Sequence, residues 1–126
     1  MRRSALVLAL VAAALAGCVK RTLPPGEVGV CFHVVPQADG KTLRYNRLVV
    51  NVPNLETCAA NLEAMRVKFL RLGGSNRDIY GAYQGNFIFI QKEGVFTAPS
   101  LEEHRYLALV RTGDGRLAIP SAMPQQ

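Results

Sequence analysis

The stretch Leu55-Glu56-Thr57-Cys58-Ala59-Ala60-Asn61-Leu62-Glu63-Ala64-Met65-Arg66-Val67-Lys68-Phe69-Leu70-Arg71-Leu72 decides the fold class. Its apolar positions Leu55, Cys58, Leu62, Met65, Phe69 and Leu72 recur every three or four residues, which is one face of an α-helix. Asn54 supplies an N-cap oxygen, and Glu56 lies near the positive end of the helix dipole. Lys68 and Arg71 lie near the negative end, and Gly73-Gly74 stops the helix. A stripe this short, under three heptads, is a helix packed on something flat rather than a coiled coil.

What flanks the helix reads as sheet. Val28 to Val35 is rich in β-branched residues and reads as a strand. Asp39-Gly40 is a turn, and Leu43 to Val52 reads as the second arm of a hairpin stopped by Pro53. After the helix, Ile79 to Gln91 contains a strand centred on Asn86–Ile90, Val95–Thr97 a short one, and Tyr106–Arg111 another, returning at Arg116–Ile119. Ser100-Leu101-Glu102-Glu103 has the form of a capping box, which predicts one helical turn. The expected fold is α+β: one amphipathic helix packed on a small antiparallel sheet, in β-β-α-β-β-β order. A single helix covers one face of such a sheet, so the other face is expected to meet water, membrane or a partner.

Composition bounds the rest. The chain has 126 residues and a net charge of +6, with 49% hydrophobic and 19% charged residues, so it is neither disordered nor collagen-like. Its N-terminus is organised differently from the remainder. Met1-Arg2-Arg3 is a short positive region, and Ala5 to Leu15 is an unbroken apolar run. That run is too short to span a bilayer and has the size of a secretory signal core. Small residues and a cysteine follow, Leu15-Ala16-Gly17-Cys18, and then Lys20 and Arg21.

Leu-Ala-Gly-Cys in this setting resembles a bacterial lipobox. The resemblance covers residues 1–18. It implies a signal peptide over 1–17, cleavage before Cys18, and a diacylglyceryl lipid on the Cys18 thiol, with the new amine often acylated as well. Two or three acyl chains hold a protein on a membrane where one does not. Val19, in place of Asp, resembles the sorting pattern for the outer membrane, on its periplasmic face. Cleavage would leave 109 of the 126 residues and take Arg2 and Arg3 away, lowering the net charge to +4. An ordinary signal peptide with an incidental Cys18 is the competing reading. Residues 18–26 then read as the lipidated cysteine and a short tether stiffened by Pro24-Pro25, residues 27–120 as the domain, and 121–126 as a tail.

An exported protein sits in a compartment where paired thiols become disulfides, so Cys31 and Cys58 are expected to bridge helix and first strand. Alternation adds a complication. Cys31 shares a strand face with His33 and Val35, while Val30, Phe32 and Val34 lie opposite. Either a bulge rephases the strand or its far side is covered too. Buried free thiols, or a reactive pair, are the alternatives.

Catalytic groups are sparse. His33 and His104 are the two histidines, and neither is flanked by a metal-ligand pattern. There is no nucleophile elbow, phosphate loop or dinucleotide fingerprint. Cys31 with His33 could imitate a thiol–imidazole pair, but no third orienting group is identifiable. Arg44 and Arg47 differ in alternation parity and form no basic stripe. Tyr80, Tyr83, Phe87 and Phe89 make an aromatic-rich segment, with Tyr83, Phe87 and Phe89 of one parity. No nucleic-acid motif is present. The sequence therefore predicts no catalytic residue, no metal site, and no cofactor beyond the lipid on Cys18. The expected function is a non-enzymatic assembly or interaction subunit, lipid-anchored in the cell envelope, with an envelope protein as partner. The alternative is a module that binds or inhibits through a cell-wall fragment or a periplasmic hydrolase.

Overall fold

A computed structural model describes residues 20–74 and 78–122. The signal segment and Cys18 lie outside the described residues, as do Met123–Gln126 of the tail. The elements run β1 (Cys31–Pro36), β2 (Leu43–Val49), α1 (Leu55–Arg71), β3 (Ile79–Tyr83), β4 (Asn86–Gln91), β5 (Gly94–Ala98), β6 (Tyr106–Arg111) and β7 (Leu117–Ala118), then a 3-10 turn at Pro120–Ala122. The strands form one sheet in the order β2-β1-β3-β4-β5-β6-β7, every adjacent pair antiparallel. The fold is α+β, with the helix between β2 and β3.

The registers give the sheet two distinct ends. The start of β1, the end of β2, the β3–β4 turn and the β5–β6 loop share one end, here called proximal. The β1–β2, β4–β5 and β6–β7 turns share the other, distal end. The helix starts at the proximal end and carries the chain back to the distal end, where β3 begins. Asn54 caps it, its Oδ1 accepting from the Thr57 amide at 2.8 Å. Past its last turn, the Gly74 amide donates to the Phe69 carbonyl at 2.9 Å.

Several boundaries differ from expectation for local reasons. The first strand starts at Cys31, because Val28-Gly29 turns, and the Gly29 carbonyl accepts from the Val52 amide at 2.8 Å. The second ends at Val49, because Asn51 takes a left-handed conformation (φ 57°). Ile79 to Gln91 is a hairpin, not one strand. Gln84 and Gly85 both have positive φ (42° and 82°), the geometry of a two-residue hairpin turn. The 100–103 capping box forms no helix; Glu102 and Glu103 bond elsewhere, as described below.

Two clusters of buried side chains lie on opposite faces. The helix face holds Cys31, Val52, Cys58, Ala59, Leu62, Ile79, Tyr83, Ile88, Ile90, Val95 and Leu109. The far face holds Val30, Phe32, Val34, Ala82, Phe87, Phe89 and Ala98, with Leu43, Tyr45, Tyr80 and Phe96 packed on it. The strand-alternation problem is thus solved by covering both faces. The β1–β2 bulge places its extra residue, Leu48, on β2 and leaves the phase of β1 intact. A second bulge, at Ala108, lies between β5 and β6. Such bulges increase twist and bend, which suits a far face that closes over its own aromatic rings. Phe32 and Tyr45 meet edge to face at 6.3 Å, and Tyr80 and Phe89 at 5.8 Å. The Arg105 guanidinium caps the Phe89 ring at 3.8 Å. The expectation of a bare second face is corrected: Phe87 and Phe89 are each only 1% exposed. Tyr83 parts from Phe87 and Phe89, because the turn at Gln84-Gly85 breaks the parity count and sends it to the helix face.

Candidate functional site

Cys31 and Cys58 form a disulfide with Cα atoms 5.3 Å apart. It joins the first turn of α1 to the proximal end of β1, inside the helix-face core. Closing that loop stabilises the fold by roughly 3.5 kcal/mol in the loop-entropy description. With the sulfurs joined, neither is a thiolate that His33 could serve. His33 is half-buried, and burial lowers its pKa below 6.5. His104 stacks edge-on against Tyr106 at 5.0 Å. Among the described residues, no three His, Cys, Asp or Glu side chains converge as metal ligands would. Arg44 and Arg47 lie on opposite faces of β2, and Arg47 is paired with Glu27 at 2.9 Å.

The segment read as a tether is bonded to the domain. The Thr22 amide donates to Glu102 Oε2 at 2.8 Å, and the Thr22 hydroxyl to Oε1 at 2.7 Å. These two bonds hold the Glu102 carboxyl below its usual pKa. The Thr22 carbonyl accepts from the Leu101 amide (3.3 Å) and the Pro25 carbonyl from the Gly85 amide (3.1 Å). Arg21 reaches Glu103 at 3.1 Å. Residues 20–26 therefore lie as a strap across the proximal end, from the β5–β6 loop to the β3–β4 turn. Nothing in the sequence pairs Thr22 with a carboxylate 80 residues away; the Glu102-Glu103 pair was legible only as a helix start.

The second feature is a groove of about 870 Å³ between α1 and the β6–β7 turn. Ala60, Ala64 and Val67 of the helix form one wall, and Leu117 and Gly115 the other. Small side chains one turn apart leave the space, since a longer residue at 60 or 64 would fill it. Beneath runs an ion pair. Arg111 donates from Nε to Glu63 Oε1 at 2.8 Å and from Nη2 to Oε2 at 2.7 Å, and its Nη1 reaches the Gln91 carbonyl at 2.8 Å. Glu63 raises the Arg111 pKa, so this guanidinium stays charged. Glu63 also accepts from Arg66 at 3.4 Å, so its charge is matched. At the distal end the groove is lined by Lys68, Arg71 and Arg116. This places a cationic end on an apolar channel. Sequence reasoning read only the apolar stripe of this helix and not this face. The signal available was the Ala60-Ala64-Val67 stripe, which is weak without knowing that a hairpin 50 residues on lies opposite.

Comparison of the chain with protein-family models, curated proteins and solved structures found no match. No helix among the described residues is long and apolar enough to cross a membrane.

Proposed function

We propose that this chain is a lipid-anchored, non-enzymatic interaction subunit of the bacterial cell envelope. The observation that carries the reading is the run ending Leu15-Ala16-Gly17-Cys18, with Thr22, four residues on, hydrogen-bonded to the domain. An anchor at Cys18 sits well with a domain held against a membrane. The Cys31–Cys58 disulfide suits an oxidising compartment. The groove along α1 is the part that would meet a partner. Its cationic distal end and apolar wall complement a segment of an envelope protein that carries carboxylates beside one or two apolar side chains.

Metabolic labelling with an acyl-chain analogue tests the anchor. The wild-type chain should be labelled, and Cys18→Ser should be unlabelled and retain its signal segment. Labelling that persists in Cys18→Ser removes the premise. The groove is tested by site-specific photocrosslinking in cells from position 116, where Arg116 already carries a long side chain at the groove, identifying the product by mass spectrometry. One envelope protein should be captured, and Lys68→Gln with Arg71→Gln should abolish the product while the protein stays folded, its melting temperature lowered only by the lost helix-end charges. Retention on purified sacculi with no protein product would move the assignment to a cell-wall ligand.

A further inference from the structure

Nine large apolar side chains are exposed among the described residues, and they are not scattered. Five of them, Leu23, Val28, Val50, Leu101 and Tyr106, lie at the proximal end or where β6 leaves it. Val28 is 83% exposed, Leu23 67% and Tyr106 63%. Of the remaining four, Phe69 and Leu72 lie at the distal end of the helix, and Leu107 lies within β6 opposite Phe96. Isolated exposed apolar residues need no explanation, but a set gathered at one end marks a contact surface.

The same end is where the chain leaves for Cys18. Fully extended, the four residues from Cys18 to Thr22 span at most about 14 Å. Much of that length is taken by the headgroup layer, roughly 6 Å per leaflet. The strap removes the remaining freedom, because Thr22 and Pro25 are bonded to the domain on both sides of Leu23. Charge at this end is close to balanced: Arg21 pairs with Glu103 and Arg47 with Glu27, Arg105 sits over Phe89, and Lys20 and Glu102 carry opposite signs. An apolar, charge-balanced end beside a lipid attachment fits an occupant with an apolar boundary and a polar surface.

We infer that the proximal end seats in the bilayer interface, with Leu23, Val28, Leu101 and Tyr106 entering the headgroup–acyl boundary. Tyrosine and aliphatic side chains suit that depth. This inference rests on reading Cys18 as the lipid anchor. It fixes the orientation of the domain: α1 stands with its C-terminus away from the membrane, and the cationic mouth of the groove opens outward. The seating is apolar, so raised salt should not release it.

The chain contains no tryptophan, so a single introduced one is an unambiguous reporter. The experiment uses the full mature lipoprotein, purified from cells and reconstituted into zwitterionic phosphatidylcholine vesicles, with brominated phosphatidylcholine as quencher. Leu101→Trp should lose most of its emission to lipid brominated near the headgroup, and Leu72→Trp should lose none. Val28→Trp is a second reporter if Leu101→Trp fails to fold. Flotation with the vesicles reads the anchor separately. Protein that floats with both reporters unquenched, or both quenched, overturns the seated orientation and leaves the anchor standing. Protein that does not float overturns both.

Discussion

Gly81 shows how much a missing side chain can position. A Cβ built there would lie 2.3 Å from Leu62 Cδ1 and 2.9 Å from the Phe32 carbonyl oxygen. Leu62 could rotate, but the carbonyl belongs to the neighbouring strand and is held by the sheet. Gly81→Ala is therefore expected to cost about 1–3 kcal/mol through overpacking, read as a lower midpoint in chemical denaturation. An unchanged midpoint would mean that the helix lifts without loss. The role of Gly81 is to let α1 approach β3. His33 carries a second prediction at this scale. It lines a recess with Phe69 and Ile79 on the helix side, and burial lowers its pKa. The unfolded chain then binds the proton more readily than the folded one. Stability is fully present above the unfolded value of 6.5 and declines as pH falls below it. Unfolding curves between pH 8 and pH 5 should show this decline, and His33→Gln should flatten it.

The helix separates what periodicity reveals from what it cannot. Its apolar stripe was read as continuous from Leu55 to Leu72, yet Cys58, Ala59 and Leu62 are buried while Phe69 and Leu72 are 46% and 75% exposed. Length explains the difference. Seventeen helical residues cover about 25 Å, whereas the six residues of β1 or β4 cover about 20 Å. The last turn outruns the sheet it packs on. A sequence shows the spacing of a stripe but not where its support ends, which depends on strand lengths set elsewhere in the chain. Equal-looking leucines should thus respond unequally. Leu62→Ala should cost about 2–5 kcal/mol, while Leu72→Ser should stay within about 0.5 kcal/mol of wild type. Thermal and denaturant unfolding of the two variants checks this, and similar losses would place the last turn against the core. The disulfide was legible from a different signal: two cysteines in a chain expected to be exported, with Cys58 on the helix stripe that must face the sheet. The groove was not, because its opposite wall comes from a hairpin whose position only the complete sheet order defines.

Over the whole molecule, the strap is the contact that joins the two halves of the functional reading. The α+β class followed from one periodic helix among strand-like runs, and the lipobox resemblance from local residues. That Lys20–Gly26 binds the domain could not be read, since proline-rich composition before a domain describes a tether equally well. Glu102 is the residue that decides between them. It accepts both the amide and the hydroxyl of Thr22, and these bonds favour its ionised form. Its contribution is therefore present above the ordinary carboxylate range and is lost as pH falls through the lowered value. Glu102→Ala should release the strap while leaving the cores intact. Hydrogen exchange at the Thr22 and Leu101 amides should quicken several-fold, and exchange at Ile88, inside β4, should not change. Acid should reproduce the effect in the wild-type chain and add little in the variant. Unchanged exchange at Thr22 would mean that the Gly85–Pro25 bond and the Arg21–Glu103 pair hold the segment without Glu102. On the proposed seating, an opened strap would turn a domain fixed in orientation into one that swings on a short leash. The Leu101→Trp reporter in the Glu102→Ala background should then regain emission, because the proposal has the attachment on both sides of Leu23 present the proximal end to the membrane.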